Sequence, residues 1–108
     1  MLGLLMKPLV IPPAAQRDES ARQLVSAWAA EKGLHCTLNI GLWHDSGRDE
    51  PASWGILLSD LARHAANALQ EQYGLDSTDT LARIRQAFDM ELSDPTSDTT
   101  GSFHHGHT

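Results

Sequence analysis

From residue 34 to residue 43 the chain alternates. Leu34, Cys36, Leu38, Ile40 and Leu42 fall on one face, and His35, Thr37, Asn39 and Trp43 on the other. A period of two predicts a half-buried strand, bent or ended at Asn39-Ile40-Gly41. A strand cannot stand alone, because its backbone donors and acceptors need a neighbour. That requirement constrains the fold more than any other feature. The partner is one of three segments: the run Leu9, Val10 and Ile11, a strand that the pattern does not reveal, or the same strand of a second subunit paired across a twofold axis.

The remaining chain is read around that strand. Residues 1–15 form an extended arm, since Pro8, Pro12 and Pro13 bracket a short β-branched run and bias it away from helix. A helix is expected over 17–32, with Asp18 and Glu19 in its first turn, an apolar stripe of Ala21, Leu24, Val25, Trp28 and Ala29, and Gly33 after its end. A second helix over 51–73 is capped by Asp49 or Glu50, has Pro51 in its first turn and stops at Gly74. Its apolar face carries Trp54, Leu57, Leu58, Leu61, Ala65, Ala68 and Leu69. A third helix over 78–92 is capped by Ser77 or Asp76, with Leu81, Ile84, Phe88 and Leu92 inward. Residues 16–92 make one globular domain, and the polar segment 93–108 is expected to be disordered. The predicted class is α+β: a small antiparallel sheet packed by three helices, in the order (short β)-α-β-α-α.

At 108 residues one domain is the limit, and a chain this short buries a thin core. Self-association or another protein partner would thicken it, and a homodimer is expected. Eight basic residues against fourteen acidic, for a formal charge of −6, leave no cationic stripe for nucleic acid or for a membrane surface. The apolar start, broken at Lys7 and Pro8, is too short for a signal peptide or a spanning helix, so a cytoplasmic location is expected. Whether translation starts at Met1 or Met6 stays open. Cys36 is the single cysteine, which rules out an internal disulfide.

Several residues look chemical. In a strand His35 and Cys36 point to opposite faces, and His44 lies about 26 Å beyond Cys36 if the chain stays extended, so these letters do not converge on a metal. A lone cysteine on an apolar strand face packs as a small hydrophobe. Asp60 and His64 are neighbours on one helix flank, a carboxylate–imidazole pair of the kind that orients a general base. With His35 they are the weak catalytic candidates, lining one small pocket if the reading as an enzyme or ligand-binding protein holds. His104, His105 and His107 are adventitious metal ligands at most, since a flexible peptide supplies no supporting hydrogen bonds. No resident metal or cofactor is expected. Trp43, out of phase with the strand's apolar face, joins Leu9, Val10 and Ile11 as candidate interaction residues.

The segments Ile-Pro-Pro-Ala-Ala at 11–15, Gly-Leu-His-Cys-Thr-Leu at 33–38 and Trp-Gly-Ile-Leu-Leu-Ser-Asp-Leu-Ala-Arg-His-Ala-Ala-Asn-Ala at 54–68 resemble a family of small bacterial proteins classed as a domain of unknown function, number 5076. The resemblance implies a bacterial source and a shared fold over about residues 10–92; it transfers no catalytic residue. The expected function is therefore a non-catalytic interaction or assembly module that self-associates. The alternative is the small enzyme or ligand-binding protein built on His35, Asp60 and His64.

Overall fold

The computed structural model describes residues 8–96 and 98–105, with the side chains of 104 and 105 outside the description. Its elements are α1 (Pro13–Arg17), β1 (Val25–Ala30), β2 (Gly33–Ile40), a single 3-10 turn (His44–Ser46), α2 (Glu50–Tyr73), α3 (Ser77–Ser93) and β3 (Thr99–His105). The class is α+β, as the sequence predicts. The sheet runs β1-β2-β3 and is mixed: β1 pairs antiparallel with β2, and β3 lies parallel to β2 on its other side.

The helix expected over 17–32 is the main departure. Pro13 starts a short helix that ends at Arg17. There the Asp18 carboxylate accepts from the Ser20 amide at 2.9 Å and the Ser20 hydroxyl at 2.6 Å. This local turn competes with helix continuation and wins. The Ser20 hydroxyl, followed by its amide, also holds the Asp18 carboxyl below the usual carboxylate range. Downstream, Val25–Ala30 is the partner that β2 requires. The two strands join through Glu31 and Lys32, both left-handed at φ 50° and 63°. Two consecutive positive φ values mark a two-residue type I′ hairpin turn, whose twist matches that of the strands.

β2 stops where the sequence suggests. Gly41, at φ 97°, turns the chain out of the sheet, so Trp43 is out of phase because it no longer belongs to the strand. The long helices match expectation closely. Asp49 caps α2 by accepting from the Ala52 amide at 3.0 Å, Pro51 sits in the first turn, and Gly74 closes the helix at φ 72°. Asp76 caps α3 by accepting from the Asp79 amide at 2.9 Å. Within 93–108, read as disordered, Thr99–His105 forms β3. The arm residues Leu9, Val10 and Ile11 join no strand and are 95%, 89% and 63% exposed. Met1 and Met6, the alternative starts, lie outside the described residues.

The packing is incomplete in a specific way. Extensive contacts join β1 to β2, β2 to β3 and α2 to α3, whereas neither long helix packs extensively on the sheet. Burial in the helical hairpin concentrates near its turn, at Ala66 and Thr80, with Leu69, Leu81 and Ile84 half-covered. Leu58, Leu61, Phe88 and Leu92, expected to face inward, are exposed because no layer lies over them.

Candidate functional site

The most organised polar group is a carboxylate that sequence reasoning treats only as a possible cap. Glu50, the first residue of α2, reaches back to the end of β2. One carboxylate oxygen accepts from the Gly41 amide at 2.9 Å and the Trp54 indole N–H at 2.9 Å. The other accepts from the Trp43 amide at 3.0 Å and the His44 amide at 2.9 Å. The Gly41 amide has the largest effect on its acidity. Partial burial opposes it, and the His44 amide, the Trp54 indole and the Trp43 amide reinforce it. The net result is a pKa lowered from 4.5 to about 2. Four donors to one ionised acid make a fixed joint between sheet and helices. Trp43 and Trp54 close its apolar side, edge to face at 5.7 Å and 86°. Glu50 therefore fastens structure and has no capacity left to bind a ligand.

The residues singled out as catalytic candidates are placed separately. His35, half-buried on β2, shares a hydrogen bond of 2.7 Å between its Nδ1 and the Thr100 hydroxyl of β3. Asp60 pairs with Arg63 on the same exposed helix face, and His64 is exposed one turn on. No hydrogen bond links any two of the three among the described residues. Cys36 is half-buried, between Ala27 of β1 and Gly101 of β3. Among the described residues no group of three His, Cys, Asp or Glu side chains is arranged to hold a metal. The side chains of His104 and His105, and all of His107, lie outside the described residues.

Two shallow depressions accompany the hairpin. One surrounds its turn, from Ala29 to Leu34. The other lies at its open end, between Leu24, Val25 and Ser26 on one side and Thr37, Leu38 and Asn39 on the other. Asn39 is buried at 8% exposure. Its amide nitrogen donates to the Gln23 carbonyl at 3.2 Å, which leaves its Oδ1 without a protein partner among the described residues.

The larger feature is a surface. The strand registers put Val25, Ala27 and Ala29 of β1, Leu34, Cys36, Leu38 and Ile40 of β2, and Phe103 of β3 on one face of the sheet. Leu34 and Phe103 on that face are exposed, Phe103 at 71%. Periodicity revealed the apolar faces; it could not reveal that the chain leaves them uncovered.

This architecture, with its β-hairpin, paired helices and Glu50 joint, lies within the part of the chain matched by one family model. The model is the domain of unknown function DUF5076, and it matches residues 8–96. The chain belongs to this family. A solved structure from the photosynthetic bacterium Rhodopseudomonas palustrus CGA009, described as a candidate pyruvate dehydrogenase, is similar over 88% of this chain and 92% of its own, with 30% identity and a TM-score of 0.67. No curated protein matches. As a DUF5076 member the chain shares a fold with that structure along nearly the whole of both chains. Among its described residues no helix is long and apolar enough to cross a membrane.

Proposed function

We propose that this chain is a non-catalytic interaction module of the bacterial cytoplasm that works as a homodimer. One observation carries the reading: a sheet face and two helix faces carry exposed large apolar side chains, Leu34 and Phe103 on the sheet, Leu58 and Leu61 on α2, and Phe88 and Leu92 on α3. Contiguous apolar surface of several hundred Å² marks an interaction site. Obligate homodimer interfaces are largely apolar, so a second copy is an occupant of matching chemistry. A net charge of −6 disfavours anionic partners such as nucleic acid. The relative's description as a candidate pyruvate dehydrogenase does not direct this reading, because a shared fold carries an activity only through shared site residues.

The test is the mass of the native full-length protein, by native mass spectrometry and by sedimentation from about 1 to 100 µM, a range that brackets the affinity of ordinary dimers. A dimer that persists at the low end is expected. A mass equal to one chain throughout would refute the reading.

A further inference from the structure

Resting on the self-association reading, we infer that the two copies join through β1, edge to edge and antiparallel, to form one continuous six-stranded sheet centred on Ala27. The argument starts from hydrogen-bond direction. The Asn39 amide donates to the Leu24 carbonyl at 2.9 Å, and the register pairs Ser26 with Thr37, Trp28 with His35 and Ala30 with Gly33. In an antiparallel ladder alternate residues bond to the same neighbour. Leu24, Ser26, Trp28 and Ala30 therefore turn their backbone groups toward β2, while Val25, Ala27 and Ala29 turn theirs outward.

Natural edge strands are blunted by Lys or other charges, by Pro, by bulges or by brevity. β1 has none of these devices. Val25-Ser-Ala-Trp-Ala-Ala30 is six residues long, without a charge or a proline, and its register with β2 runs without interruption. The outward set is also symmetric about its centre. Laid antiparallel on itself, Val25 of one copy faces Ala29 of the other and Ala27 faces Ala27, so every outward N–H meets an outward carbonyl. The small side chains of Ala27 and Ala29 let two edges approach without a clash. The absence of charge in the strand keeps two acidic chains from repelling at the seam.

Amide hydrogen exchange on the native full-length protein, resolved at residues 25, 27 and 29 and read beside the native mass, tests this. Protected amides at all three positions in a dimer are expected. The variant Ala27→Pro removes an outward donor and leaves the β1–β2 ladder whole. In both copies it deletes the two central hydrogen bonds, so it should weaken the dimer by roughly tenfold to a hundredfold with the hairpin amides of 26 and 28 still protected. A dimer whose 25, 27 and 29 amides exchange freely overturns the edge seam and leaves self-association standing, as does a dimer that Ala27→Pro does not weaken. A monomer overturns both. A monomer with those amides protected assigns the edge to the chain's own Leu9, Val10 and Ile11 arm. Should Ala27→Pro fail to fold, the exchange pattern of the unaltered protein decides.

Discussion

The indole N–H of Trp54 donates to the Glu50 carboxylate at 2.9 Å, one helical turn away along α2, and the same indole meets Trp43 edge-on. The two contacts make one side chain a brace for both the polar and the apolar side of the sheet–helix joint. The helix supplies the i, i+4 spacing, and the turn at Gly41 brings the Trp43 and His44 amides within reach of the same acid.

Glu50→Gln should loosen that joint. A glutamine keeps one acceptor oxygen, but its NH₂ opposes one pair of the N–H donors. The thermal midpoint at pH 7 should fall by several degrees. The pH dependence follows from the direction of the shift. A carboxyl at about 2 when folded and 4.5 otherwise gives its full stabilisation above pH 4.5 and loses it as pH falls toward 2. Acid titration of stability should show that loss in the parent and a flatter profile in the variant. Identical profiles would mean that the joint does not hold the fold.

The hairpin turn stores strain that substitution can relieve. Glu31 and Lys32 adopt the left-handed conformation, which costs residues with a Cβ about 1–2 kcal/mol each. The double variant Glu31→Asn, Lys32→Gly should stabilise the protein by about 1–2 kcal/mol in urea unfolding. A loss of stability would show that these side chains do something beyond tolerating the turn.

Asn39 is buried with its amide nitrogen on the Gln23 carbonyl. Asn39→Asp replaces that donor by a carboxylate oxygen facing a carbonyl in a poorly solvated place, at a cost of about 2 kcal/mol. The cost should shrink below about pH 4, where a protonated carboxyl can donate again. Comparing chemical denaturation of parent and variant at pH 7 and pH 3.5 gives the difference.

Gly101 lies opposite Cys36 in the β2–β3 register, with φ 145°, and a Cβ there would collide with the Cys36 carbonyl. Gly101→Ala should free β3 at a local cost of about 1–3 kcal/mol. The hydrogen bond between His35 and Thr100 should go with it. Hydrogen exchange should show β3 amides losing protection while those of α2 keep theirs.

Much of this architecture was legible, and the parts that were not have physical reasons. Asp49, Pro51 and Gly74 bound α2 because caps act through the adjoining backbone alone. The alternation from Leu34 to Ile40 revealed β2 for the same kind of reason, a local period. Val25–Ala30 misled because Val25, Trp28 and Ala29 fit a helical stripe as well as they fit a strand. Alanine favours helix, and Glu31-Lys32 lacks the Asn-Gly signature of a type I′ turn. Glu50 was readable as a cap and not as a joint, since three of its four donors lie six to nine residues back, beyond the end of another element. β3 was hidden because its strand character depends on a neighbour far along the chain. Of the named site residues, Trp43 lies beyond the end of the strand, where it meets Trp54.

The parallel position of β3 also fixes a timetable. β1 and β2 meet through a two-residue turn and α2 and α3 through a short one, so each pair can close as soon as it exists, within microseconds. β3 must wait until residues 41–98 have been made, and translation at about 5–20 residues per second turns that wait into seconds. Throughout that interval the nascent protein presents a two-stranded ribbon open on both sides. Its Cys36 flank stays bare until Thr99–His105 leave the ribosome, and a chain cut before Thr99 never acquires that cover.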